Sequence, residues 1–152
     1  MLDASGSMRT QGRLALAKGH AAQLIAQAAQ QGDDVALLQL GGDGVQLLLP
    51  PGRARASGSL RLRGIGGGGG TPLAQALEQA ELLLQRAVRR NGLLDCWLWL
   101  LTDGRTLEQP LAPPSARHRV ILDFDDPHQP LGRCAAWARL WQAEHLFPER
   151  TL

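Results

Sequence analysis

Asp3, Ser5 and Ser7 set three oxygen-bearing side chains on alternate positions of Asp3-Ala4-Ser5-Gly6-Ser7. Far along the chain, Thr71 follows the run Gly66-Gly67-Gly68-Gly69-Gly70. Further still, Asp103 closes the apolar stretch that ends Leu100-Leu101-Thr102-Asp103-Gly104-Arg105. Two carboxylates and three hydroxyls on three loops suit a hard divalent cation. Mg²⁺ takes about six oxygens in near-octahedral geometry and keeps several waters. Asp3 and Asp103 would neutralise such an ion, directly or through water. The hydroxyls of Ser5, Ser7 and Thr71 would leave it electrophilic, so that an open position draws a carboxylate from a partner protein. Gly6 allows the first loop to turn, and the glycines before Thr71 allow backbone to approach the site closely.

The elements that must position these residues follow from hydrophobic spacing. Only Met1 and Leu2 precede Asp3, too few for an ordinary strand of about 5–6 residues, so the first strand reads as truncated. Leu14, Ala17, Ala21, Leu24, Ile25 and Ala28 recur at helical spacing, and Gly32 stops that helix. Val35 to Leu40 and Val45 to Leu49, separated by Gly41-Gly42-Asp43-Gly44, form a hairpin that Pro50-Pro51 ends. Residues 53–65 read as a short helix or turn carrying Arg53, Arg55, Arg61 and Arg63, a stretch expected to be solvated. Thr71 as N-cap and Pro72 as first helical residue open a long helix that Asn91-Gly92 stops. Cys96 to Leu101 is apolar on both faces, which marks an interior strand of a covered sheet. Residues 105–117 read as a loop, Val120 to Leu122 as a buried strand, Leu131 to Ala143 as a helix and His145 to Phe147 as a last short strand. The sum is an α/β domain over residues 1–152: a mostly parallel central sheet between helices, with one antiparallel edge strand. In such sheets ligands bind at the carboxyl ends of the strands, where Asp3 and Asp103 fall.

The three motifs together resemble the metal-ion-dependent adhesion site of von Willebrand factor type A domains. The resemblance implies their Rossmann-like three-layer fold, with Mg²⁺ (or Mn²⁺) held by Asp3, Ser5, Ser7, Thr71 and Asp103. It also implies a partner Asp or Glu completing the coordination. The stretches Gly-Gly-Gly-Thr-Pro-Leu and Leu-Leu-Thr-Asp-Gly-Arg are most similar to the C-terminal domain of the D subunit of magnesium chelatase and related cobaltochelatases. That likeness implies a cytoplasmic docking module of a tetrapyrrole-forming chelatase, partnered by other chelatase subunits and not catalytic by itself. Another complex-assembly module of this fold is the alternative. A Mg²⁺-dependent hydrolase is a more distant one, since none of the three motifs holds a His or Glu to act as general base.

Composition excludes other classes. No apolar run approaches the roughly 20 residues of a membrane span. A formal net charge of +2 speaks against nucleic acid as the main partner. Cys96 and Cys134 read as free thiols in a reducing compartment. His20, His118, His128 and His145 lack zinc-ligand spacing. Gly64 to Gly69 formally fits Gly-x-Gly-x-x-Gly but follows no buried strand, as a dinucleotide site would need, and there is no Walker A lysine motif. Asp123, Asp125 and Asp126 read as a solvated acidic loop.

Overall fold

In the computed structural model the described residues are 1–148, and residues 149–152 of the expected domain lie outside them. Six strands form one sheet in the order β3-β2-β1-β4-β5-β6. They are β1 (Leu2–Asp3), β2 (Asp34–Gly41), β3 (Gly44–Arg53), β4 (Trp97–Thr102), β5 (His118–Asp123) and β6 (Glu144–Leu146). All neighbours run parallel except β2 and β3, the antiparallel hairpin at one edge. Three helices cover it: α1 (Arg13–Gln31), α2 (Leu73–Arg90) and α3 (Arg133–Trp141).

Alternation along the strands divides the core into two layers. Leu98 and Leu100 of β4 join Leu73, Leu77 and Ala80 of α2 and Trp137 and Trp141 of α3. Leu101 instead joins Ala17, Ala21 and Ile25 of α1, with Leu2 and Leu122. Both faces of β4 are therefore apolar because both are covered, as its sequence requires. Trp137 and Trp141, one helical turn apart, stack at 5.9 Å within the first layer.

The central slot of the sheet is filled by the shortest strand. Leu2 pairs with Gln39 of β2 on one side and Leu101 of β4 on the other. Further backbone bonds extend the pairing past both ends of β1, from Ala4 N to Leu40 O at 2.7 Å and from Leu101 N to Met1 O at 3.0 Å. Leu2 and Ala4 are wholly buried. Short as it is, the segment leading to the first loop is held on both sides.

Some elements differ from their sequence reading. The segment after Asp3 does not enter an α-helix at once. Gly6–Gly12 is a 3₁₀ segment broken at Thr10 and Gln11, and α1 starts only at Arg13. The hairpin does not end at Pro50. β3 continues through Pro50-Pro51 to Arg53, and the prolines sit where the pairing shifts register between Val35 and Leu37. An edge strand with a bulge tolerates residues that cannot donate to the ladder. Thr71 is not the N-cap of α2. Pro72 takes that place, and the free amide of Ala74 is bonded by Oε2 of Glu108 at 2.6 Å.

Candidate metal centre

The carboxyl ends of β1 and β4 lie side by side, since Leu2 pairs with Leu101. That pairing brings the carboxylates that follow, Asp3 and Asp103, onto one rim. Both are almost fully buried, at 0% and 1% exposure, as is Ser5 at 2%. Buried carboxylates so close repel one another. Burial is the main cause raising the Asp3 pKa, hydrogen bonds from Thr102 and Ser5 oppose it, and the charge of Asp103 adds to it.

Asp3 is fixed at both oxygens. Its Oδ1 accepts the amide of Ser5 at 2.8 Å, and its Oδ2 accepts the hydroxyl of Thr102 at 2.5 Å. The turn this creates sets the hydroxyls of Ser5 and Ser7 3.3 Å apart. Asp103 is placed differently. Its Oδ1 accepts the amide of Arg105 at 3.1 Å, while its Oδ2 is buried and has no hydrogen-bond partner. The nearest cations to that oxygen are Arg13 Nη1 at 3.5 Å and Arg105 Nε at 3.8 Å. A buried carboxylate oxygen without a donor is costly, by roughly 1–3 kcal/mol or more for a charged group, unless something else occupies its open side.

The glycine run delivers Thr71. Gly68 N bonds Ala4 O at 2.8 Å, Gly6 N bonds Gly69 O at 3.0 Å and Gly42 N bonds Gly68 O at 2.6 Å. The run is thus clamped between the Asp3–Ser7 loop and the β2–β3 turn. Gly69 has a φ of +67°, and a Cβ there would lie 2.6 Å from the Gly42 carbonyl oxygen, so no other residue fits without strain. At the exit, the carbonyl of Thr71 accepts the hydroxyl of Thr106 at 3.5 Å, which ties it to the loop that follows Asp103. Because Glu108 caps α2, the Thr71 side chain is not committed to the helix.

Of the five residues named from the sequence, Asp3, Ser5 and Ser7 are linked by hydrogen bonds, Asp103 follows the strand paired with β1, and the Thr71 backbone is tied to the loop after Asp103. The donor set fits a hard cation: two buried carboxylates, one with an open oxygen, beside a pair of converging hydroxyls. Among the described residues no group of three His, Cys, Asp or Glu side chains is arranged to hold a metal ion.

Sequence reasoning missed two participants. Nothing in the sequence singles out Thr102, yet it orients Asp3 and accepts the Gly104 amide at 3.1 Å. Arg13 carries no signal in the sequence, yet its side chain is only 11% exposed and lies beside Asp103. The acidic stretch after β5 also departs from expectation, because it is engaged rather than solvated. Asp123 is buried and bonds His145 at 2.8 Å. Asp125 accepts Arg105 at 3.1 Å and the Leu131 amide at 2.6 Å.

Comparison with known proteins decides the family. Residues 1–105 match the model of the von Willebrand factor type A domain. The chain belongs to the von Willebrand factor type A family. The chain is 43% identical over 104 residues to the magnesium-chelatase 60 kDa subunit of Cereibacter sphaeroides, a match covering 68% of this chain and 18% of that protein. It is 32% identical over 152 residues to an uncharacterized protein of Mycobacterium tuberculosis, covering 91% of this chain and 24% of that one. The von Willebrand domain thus spans about a fifth of the length of the curated relatives it matches. In three dimensions it resembles the crystal structure of the SpRpn10 VWA domain, with a TM-score of 0.73 at 13% identity over 99% of this chain and 87% of that one. At that identity the likeness concerns the three-layer fold. No helix among the described residues is long and apolar enough to cross a membrane.

Proposed function

We propose that this von Willebrand domain is a divalent-cation-dependent docking module. Ser5, Ser7 and Thr71 would hold Mg²⁺ or Mn²⁺ by their hydroxyls, with Asp3 and Asp103 supplying the balancing charge directly or through water. A bound cation would supply a Lewis-acidic position for an Asp or Glu carboxylate of a partner protein. The observation that carries this reading is Oδ2 of Asp103, buried and without a hydrogen bond beside a second buried carboxylate. Such an arrangement is unfavourable for the protein alone and favourable around a cation.

The chain's own residues divide the work. Thr102 and the Ser5 amide hold Asp3 in one orientation. The glycine run presses backbone against the Asp3–Ser7 loop and excludes side chains from it. The loop from Asp103 to Glu108 keeps Thr71 off helix-capping duty.

Similarity to the magnesium-chelatase 60 kDa subunit supports a parent complex that inserts a metal into a tetrapyrrole. On this reading residues 1–152 act as one domain in the cytoplasm, docking other chelatase subunits and performing no chemistry alone. Titration of Mg²⁺ and Mn²⁺ into chelator-treated protein should raise the melting temperature of the wild type and leave Asp103→Ala unmoved. Asp103→Ala should also lose partner subunits in a pull-down. Cation-independent melting of the wild type, or an unaltered pull-down, would overturn the reading.

A further inference from the structure

Arg13 opens α1 behind two successive residues in the left-handed region, Gln11 at φ +55° and Gly12 at φ +72°. A non-glycine residue with positive φ is uncommon, and here it re-aims the chain so that the first side chain of α1 reaches the rim. Nη1 of Arg13 lies 3.5 Å from Oδ2 of Asp103, Nη2 lies 3.7 Å from Oδ2 of Asp126, and Nη2 also donates to Gln11 Oε1 at 3.0 Å. The Asp103 side chain is fully buried and that of Asp126 is 16% exposed. The contact with Asp103 is an ion pair without a hydrogen bond, since Oδ2 of Asp103 has no hydrogen-bond partner. Arg13 therefore neutralises the orphaned oxygen without saturating it.

Arg105, the other cation near Asp103, is anchored elsewhere by its hydrogen bond to Asp125. Arg13 has an alternative acceptor within reach, Asp126, on the loop between β5 and α3. A divalent ion beside Asp103 would repel the guanidinium at this distance, strongly because the pair is poorly solvated. A short swing towards Asp126 relieves that repulsion without exposing Arg13 or leaving it unpaired.

We propose that Arg13 is the counter-charge of Asp103 when no cation is bound, and that an entering cation displaces it onto Asp126. Arg13 is thus a positioning residue. It holds the cation-free rim together, sets the threshold for cation binding, and couples that binding to the loop carrying Asp125 and Asp126. This inference rests on the cation-site reading given above.

Melting curves in chelator and in saturating Mg²⁺, with calorimetric titration of Mg²⁺ and Mn²⁺, test it on wild type, Arg13→Gln, Arg13→Lys and Asp126→Asn. In chelator, Arg13→Gln should melt several degrees below wild type, and Arg13→Lys, which keeps the charge, should recover part of the loss. In Mg²⁺ the deficit of Arg13→Gln should close. By linkage its Mg²⁺ affinity must then rise, by about tenfold, within the usual range of coupling between two sites. Asp126→Asn should bind Mg²⁺ more weakly than wild type, because the displaced guanidinium loses its second partner.

An Arg13→Gln deficit equal in both media, or unchanged affinity, would reduce Arg13 to a structural residue and sink the proposal while the cation site stands. A wild type that takes up neither Mg²⁺ nor Mn²⁺ would remove the cation site and the proposal together. If Arg13→Gln does not fold, Arg13→Lys and Asp126→Asn still decide. Affinities equal to wild type in both would overturn the displacement.

Discussion

Thr102 donates a 2.5 Å hydrogen bond to Asp3 across 99 positions of sequence, and both side chains are buried. The first and last of the three motifs are joined by this bond before any cation is considered. Thr102→Val keeps the shape and removes the hydroxyl, leaving Asp3 Oδ2 and the Gly104 amide without their partner. A loss of roughly 1–3 kcal/mol is expected in urea denaturation. Thr102→Ser should lose less, since it retains the donor.

Thr71 separates a capping role from a ligand role. If it served α2 as N-cap, Thr71→Ala would cost about 1 kcal/mol. Because Glu108 bonds the Ala74 amide instead, Thr71→Ala should leave stability in chelator within about 0.5 kcal/mol of wild type. The same variant should lower Mg²⁺ affinity. Glu108→Ala should show the reverse bias, a stability loss of about 0.5–2 kcal/mol in denaturation.

Two neighbouring glycines should respond very differently to alanine. Gly69→Ala places a methyl 2.6 Å from the Gly42 carbonyl oxygen at a positive φ, whereas a Cβ on Gly70 meets nothing within 4 Å. Thermal melts should put Gly69→Ala more than about 1 kcal/mol below wild type. Gly70→Ala should stay within about 0.5 kcal/mol. Equal effects would mean that the glycine run is not docked on the β2–β3 turn.

Glu81 supplies a pH signature away from the rim. Burial alone would raise its pKa, but hydrogen bonds from the Ser115 amide and hydroxyl, helped by Gln85 and Arg119, outweigh it and set the pKa below its ordinary 4.5. A carboxyl depressed in the folded state stabilises above its unfolded pKa, and that contribution is lost as pH falls through the folded value. Stability of the wild type over Glu81→Gln should therefore be complete above about pH 4.5 and fade below it. Asp3, whose pKa is raised, contributes with the opposite sign, so the difference between the two proteins is the quantity to follow across pH.

The sheet was legible from local signals wherever a strand had to be apolar on both faces. Leu98 to Leu101 could not be anything else, and the Gly41–Gly44 turn implied the antiparallel edge. The clustering of Asp3, Ser5 and Ser7 was legible because they alternate in one short segment, and the placement of Asp103 beside them followed from its position at the end of an apolar strand. What escaped notice depended on distance along the chain. No local pattern says that Glu108 will cap a helix starting at Leu73, or that Pro50 and Pro51 will sit in a bulge rather than end a strand. Arg13 was hidden because its role depends on two left-handed residues before it, and Gln11 gives no sign of that conformation. Asp123 to Asp126 read as solvated because charge runs usually are, and the partners that engage them, Arg105 and His145, lie far away in sequence.

The two-residue strand β1 joins the hairpin side of the sheet, β2 and β3, to the side formed by β4, β5 and β6. Its hydrogen bonds run to parallel neighbours on both flanks. Force applied to the loop beyond Asp3, along the strand, would load those bonds in shear, all at once, rather than peel them one by one. The seam of the sheet and the anchor of the Asp3–Ser7 loop are then one mechanical part. On the docking reading proposed above, tension from a partner would fall directly on the shortest strand among the described residues.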